Sequence, residues 1–231
     1  MAPAASGYLT KQERIAVAGV ADLQIRSLLD RQQFFDPRGQ AERLGISSAG
    51  WPLFGLLWPS GAFLAARLAA RPLRAGERIL ELGCGLGLAS LVGHRRGADV
   101  TASDHHPLAA GFLRHNLRLN GLAPMTYRHG PWQAGSGPRH VTGRYDLLIG
   151  SDLLYDRDAS AALGGFIGRH AAPAAEVWIV DPDRGNRAGF HRQMAALGFT
   201  RHELRLDHGP GAGPPAAAAF KGRMLTYLRA G

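Results

Sequence analysis

The stretch Glu81-Leu82-Gly83-Cys84-Gly85-Leu86-Gly87 places a carboxylate ahead of three glycines on alternate positions, and a second acid, Asp104, ends the next apolar run. Glycine lets a backbone turn sharply and approach a ligand with no Cβ in the way. Spacing decides which ligand. A dinucleotide loop, G-x-G-x-x-G/A, needs a small residue where this chain has Leu88. A phosphate-cradling loop needs a Gly-Lys-Ser/Thr that is absent here. Glu81 would repel an anion, so the loop suits a ligand carrying positive charge. An acid at the end of the following strand, about 20 residues on, suits ribose hydroxyls. S-adenosylmethionine offers both, with an ammonium, a sulfonium and a ribose.

A second constellation is Ser151-Asp152-Leu153-Leu154-Tyr155-Asp156, which follows the apolar run Tyr145–Gly150. An acid leaving a strand often caps the next helix, but Asp156 or Asp158 would serve there equally well, which leaves Asp152 and Tyr155 unexplained. Methyl transfer to an amine would use them. It is a one-step displacement that needs a neutral nitrogen lone pair aligned with the sulfur–methyl bond. A lysine amine has an unperturbed pKa of ~10.4 and must lose a proton first. A carboxylate orients it, an aromatic wall desolvates it and can hold its charge, and alignment supplies much of the acceleration. Asp152 fits the first task and Tyr155 the second.

The elements that must position these groups are legible as an alternation. A helix is expected from about Ser60 to Arg71, followed by strands at 77–83, 98–104, 145–152 and 176–183 with helices between them. Two strand-like pieces close the chain, joined by the Gly/Pro/Ala segment 209–219. Near-continuous apolar strands alternating with helices argue an α/β architecture, a parallel sheet covered on both faces, with an antiparallel pair at one edge. Ahead of it, Leu23, Ile25, Leu28, Leu29 and Phe34 recur at roughly helical spacing and stop at the turn signal Asp36-Pro37-Arg38-Gly39. Residues 1–55 are therefore expected to be a helical extension and 56–231 the main domain.

"ELGCGLG" with "ASD" resembles motifs I and II of the class I S-adenosylmethionine-dependent methyltransferases, over roughly residues 55–231. The resemblance implies a Rossmann-like, doubly wound seven-stranded sheet with a reversed last strand. It implies that Gly83, Gly85 and Gly87 line the methionine and ribose of the cofactor and that Asp104 binds the ribose. Glu81 would orient the loop or meet the ammonium through water. "LLWPSGAFLA", Pro131-Trp132 and "SDLLYD" further resemble the small protein-lysine methyltransferases, which carry Asp-x-x-Tyr/Phe after the fourth strand. That resemblance implies a protein substrate, with Trp132 stacking on adenine and Trp58 and Ser151 near the methionine end. From the residues alone, Trp132 could equally plug a loop and Trp58 could be a hydrophobic staple. Asn120-Gly121 is most simply a helix stop, Asn116 could be a surface residue, and His105 and His106 would border the adenine.

The formal net charge is +9 over 231 residues. Lys11 and Lys221 are the only lysines, so the charge is almost all arginine, and it is scattered rather than gathered as a nucleic-acid surface would be. Enzymes that methylate base amino groups carry two prolines where this chain has Leu153 and Leu154, which argues against a flipped base. RNA and small-molecule acceptors, or cofactor binding without catalysis, stay as alternatives. Ten histidines without Cys/His clustering give no metal pattern. A single cysteine, Cys84, excludes an intrachain disulfide. With no signal peptide pattern and no run read as a membrane span, a cytoplasmic monomer is expected. Residues 10–55 and 209–219 are the expected substrate-facing parts.

Overall fold

A computed structural model describes residues 7–133, 137–155, 157–208 and 220–231. The chain opens with a hairpin, β1 (Thr10–Ile15) and β2 (Leu23–Leu28), then the single turn α1 (Gln40–Arg43) and a 3-10 turn at Trp51–Gly55. The alternation follows: α2 (Pro59–Ala70), β3 (Arg78–Leu82), α3 (Leu88–Arg95), β4 (Asp99–Asp104), α4 (Ala109–Leu119), β5 (Thr126–His129) and β6 (Tyr145–Ser151). It continues through α5 (Arg157–His170), β7 (Ala171–Asp181), α6 (Arg187–Ala196), β8 (Thr200–His208) and β9 (Phe220–Arg229). Strands β3 to β9 form one seven-stranded sheet of order β5-β4-β3-β6-β7-β9-β8. All neighbours pair in parallel except β9, which runs antiparallel between β7 and β8. This is the doubly wound sheet with a reversed last strand that the sequence implies.

Strand alternation divides the core into two layers. Ile79, Leu147, Ile149, Trp178 and Val180 pack with the buried sides of α2, α3 and α4. Leu80, Leu82, Leu148, Val177 and Ile179 pack with α5 and α6 on the other face. Burial on both faces is why these strands read as continuous apolar runs. The winding reverses at β3, which pairs with β4 on one side and β6 on the other. A crevice for a ligand opens at such a switch point, outside the carboxyl ends of the strands.

Where a helix was expected, Leu23 to Leu28 form a strand of a hairpin. Leu23 and Ile25 are fully buried while Gln24 is exposed, a period of two that makes β2 a strand. The neighbouring Leu28, Leu29 and Phe34 add apolar residues at helix-like intervals, although the chain beyond Leu28 turns. Nor is the hairpin a separate unit: Leu23, Ile25 and Leu28 belong to the same core cluster as α3 and α4.

Two asparagines add polar ties to this packing, Asn116 on α4 and Asn120 at its C-cap. Asn116 Oδ1 accepts the Arg26 amide at 2.8 Å and Asn120 Oδ1 accepts the Gln24 amide at 2.9 Å. Asn120 Nδ2 donates back to the Gln24 carbonyl at 2.8 Å. Four residues apart on one helix face, the two side chains satisfy the outer edge of β2 as a partner strand would. Asn116 is fully buried, contrary to the surface position expected, and Asn120 is a cross-link to the hairpin as well as the helix end.

β5 was not expected. It has four residues, of which only Tyr127 and His129 turn partly inward, too little pattern to separate from a loop. The segment Trp51–Ala70 has the length and apolar composition of a membrane span, unlike what the sequence reading gave. It is broken, however: the backbone is extended at Leu56 and Trp58, and Leu64, Ala65 and Leu68 are buried in the core.

Candidate active site

The glycine loop joins the end of β3 to the start of α3. Gly83 and Gly85 have φ of +56° and +52°, the left-handed region where side chains are strained. A Cβ on Gly85 would stand 2.7 Å from the Phe54 carbonyl oxygen, so that glycine admits the chain's own backbone against the loop. A Cβ on Gly83 would stand 2.7 Å from Leu153 and 3.8 Å from the Trp132 ring. Gly87 is the N-cap of α3.

Glu81 holds this loop from inside. Its carboxylate is buried and accepts the amide of Ser90, in the first turn of α3, at 2.8 Å, and the Ser90 hydroxyl as well. A carboxylate on a helix N-terminus meets both the unpaired amides and the positive end of the dipole. Burial nonetheless pushes its pKa up to about 7, with the Asp104 charge adding to the rise and the Ser90 hydrogen bonds opposing it. Of the two roles open to Glu81, orienting the loop is the one its contacts describe.

Asp104, also buried, faces the same loop. Its Oδ2 accepts the Gly85 amide and its Oδ1 the His106 amide, each at 2.8 Å. Each oxygen keeps a further lone pair, enough for a ribose diol. His106 does not border an open pocket. It is buried, stacked on Phe54 with ring centroids 3.7 Å apart and edge-on to Trp51, and burial pulls its pKa down to about 3. His105 stays exposed beside Asp104.

The end of β6 brings the second constellation to the same edge. Ser151 pairs with Val180 of β7, and its Oγ lies 3.7 Å from where a Cβ on Gly61, near the start of α2, would sit. Trp58, the residue before that helix, donates its indole N–H to the Leu53 carbonyl at 2.9 Å. Its ring nitrogen is therefore spent on closing the 3-10 turn. Leu153 and Leu154 are buried and root the loop in the core. Tyr155 is half exposed, 6.4 Å from Trp132 between ring centroids and tilted 33° to it. Trp132 thus lies between Gly83 and Tyr155.

Asp152 has φ of +55° and donates its amide to the Val180 carbonyl at 2.8 Å. Its carboxylate is gripped side-on by Arg184, which donates Nε–H to Oδ1 and Nη2–H to Oδ2, both at 2.7 Å. Nothing in the sequence singled out Arg184. It lies three residues past the end of β7, and only the β6–β7 register brings it beside Asp152. Behind the pair, Asp181 ends β7 fully buried, with its carboxyl pKa raised by burial and pulled back by Arg187. Asp183 pairs with Arg187 and Arg223, and Glu203 with Arg223. Among the described residues no three acids, histidines or cysteines gather as a metal would require.

Comparison with known proteins bears on the family and the fold. A family model described as lysine methyltransferase matches residues 53–189. The electron transfer flavoprotein beta subunit lysine methyltransferase of Xenopus laevis is 32% identical over 71% of this chain and 63% of its own length. Its Mus musculus counterpart is 27% identical over 81% of this chain and 71% of its own. Among solved structures, magnesium protoporphyrin IX methyltransferase from Synechocystis, with S-adenosylmethionine bound, superposes with a TM-score of 0.54 at 20% identity. That match covers 74% of this chain and 78% of the other and speaks for the fold.

Proposed function

Because the chain belongs to the lysine methyltransferase family, we propose that it transfers the methyl group of S-adenosylmethionine to the side-chain amine of a lysine in a protein substrate. One observation carries this. Asp152 and Tyr155 leave the end of β6 on one loop, and Tyr155 faces the Trp132 ring, which lies beside Gly83 of the loop that precedes α3.

The residues present fit the cofactor. Gly83, with φ of +56° and with Leu153 and the Trp132 ring packed where a Cβ would stand, gives the loop its turn, and Asp104 keeps lone pairs for the ribose hydroxyls. Bound there, S-adenosylmethionine supplies a methyl group on a positively charged sulfur. Gly83, Gly85 and Gly87 shape the loop, Glu81 fixes it to α3, and Trp132 offers a stacking face. Trp58 and Ser151 close the side nearest α2. The lysine chain enters along Tyr155, whose ring displaces water from it. Asp152 accepts a hydrogen bond from the amine and points its lone pair toward the methyl group. The proton leaves to solvent before transfer, so alignment accounts for most of the acceleration.

A nucleic-acid base is the poorer acceptor. Leu153 and Leu154, in place of two prolines, are buried in the core rather than forming a rigid exposed turn for a planar base. The single buried cysteine suits a reducing cytoplasm, and we place the enzyme there as a monomer.

The test is label transfer from tritiated S-adenosylmethionine into a dialysed host lysate and into purified electron transfer flavoprotein β subunit, the substrate named for the relatives. Label should enter protein and return as methyl-lysine on hydrolysis. Label confined to RNA or to small molecules overturns the proposal.

A further inference from the structure

Asp152 is placed to meet a substrate amine, yet its carboxylate is already paired. Arg184 holds both oxygens at 2.7 Å in the side-by-side geometry that fixes a carboxylate most firmly. The Asp152 side chain is 11% exposed and that of Arg184 41%, so the guanidinium closes one flank of the acid from the solvent side. A second tie holds the same two loops together: Asn186 Nδ2 donates to the Leu154 carbonyl at 3.0 Å. The turn after β7 is thus clamped to the Asp152–Tyr155 loop at two points. A carboxylate has about four lone-pair sites, and a bidentate guanidinium uses two. Asp152 can therefore hold Arg184 and a lysine amine together.

That pairing has a chemical consequence. A bare carboxylate beside a lysine stabilises the ammonium, the form that cannot attack a methyl group. A guanidinium on the far side of the same carboxylate cancels much of that attraction while leaving the oxygen as a hydrogen-bond acceptor.

We propose that Arg184 is a positioning residue that both fixes the Asp152 carboxylate and, by neutralising it, keeps the bound lysine amine in its unprotonated form. The proposal rests on the lysine reading above. The surrounding charges do not duplicate the role. Asp181 lies beneath on β7 and accepts the Asp183 amide at 3.2 Å. Asp183 from the same turn is paired with Arg187 of α6 and Arg223 of β9. Glu203 of β8 is paired with Arg223 and faces His191. Among the described side chains of the Asp152 loop, the other titratable groups are Tyr155 and, at the start of α5, the exposed Asp158. Among these described groups, Arg184 is the cation in contact with Asp152.

The test compares wild type, Arg184→Ala and Arg184→Lys for methyl transfer against pH. The acceptor is purified electron transfer flavoprotein β subunit or, if that is not labelled, the most heavily labelled lysate protein after purification. Arg184→Ala should move the midpoint of the kcat profile up by about 1–2 pH units. Near neutral pH kcat falls at least tenfold, KM does not rise, and most of the rate returns by about pH 10, where lysine deprotonates unaided. Arg184→Lys keeps the charge and should keep the midpoint, with a lower plateau from the lost bidentate grip. A rate lowered by one factor at every pH, or a midpoint unchanged or lowered in Arg184→Ala, overturns the proposal while leaving lysine methylation standing. A wild type that labels no protein overturns both.

Discussion

Asp104 Oδ2 accepts the amide of Gly85 at 2.8 Å, so the acid that ends β4 is tied directly to the loop that follows β3. The two motifs that stand apart in the sequence are one hydrogen-bonded unit. Asp104→Ala should therefore lose twice. It removes the acceptor for a ribose and leaves the Gly85 and His106 amides unpaired, at a cost of about 1–3 kcal/mol each where they stay buried. Calorimetric titration with S-adenosylhomocysteine should show binding weakened by at least tenfold, and a urea melt should show a lowered midpoint. Unchanged affinity in the variant would count against the ribose role.

Asp152→Ala separates binding from transfer. The side chain touches Arg184 and none of the glycine loop's hydrogen bonds. Transfer should fall by two orders of magnitude or more, on the scale of a lost orienting group, while S-adenosylhomocysteine still raises the melting temperature as in wild type. Equal loss of binding and transfer would show that Asp152 serves the cofactor.

Glu81 makes stability depend on pH. Its folded pKa, about 7, lies above the ordinary 4.5. A raised carboxyl favours folding while protonated, and that contribution is lost as pH rises from about 4.5 through 7. Glu81→Gln has no such loss. The melting temperature of the variant minus that of wild type should climb between about pH 5 and 7 and level off above. A difference flat across that window would mean that Glu81 is ionised in the fold at ordinary carboxylate pH.

Asn116→Ala tests how the hairpin is held. Asn116 is fully buried, accepts the Arg26 amide, and donates to the Leu86 carbonyl at 3.3 Å. Its loss should cost roughly 1–3 kcal/mol of stability. Asn120→Ala, at an exposed contact, should cost less. Hydrogen exchange should show β2 opening first in Asn116→Ala. Protection of β2 unchanged from wild type would mean that apolar packing alone holds the strand.

Glu81, the three glycines, Asp104, Asp152 and Tyr155 could be picked out of the sequence because their types and spacing are unusual for a strand exit. The strands could be picked out because burial on both faces leaves long apolar runs. The hairpin could not. Leu23 and Ile25 alternate for too few residues before Leu28 and Leu29 blur the period, and its edge is satisfied by Asn116 and Asn120, about 90 residues away by sequence.

The sequence by itself determined the alternating sheet, the glycine loop, the acids that face it and the family resemblance. These depend on local patterning and on spacing along one strand–loop–helix unit. Tertiary structure decided that Glu81 grips Ser90, that His106 is buried against Phe54, that Trp58 spends its N–H on Leu53, and that Arg184 holds Asp152. Each of these is a contact whose partner is chosen by packing. The Arg184 contact comes from the parallel register of β6 and β7, which no local pattern encodes.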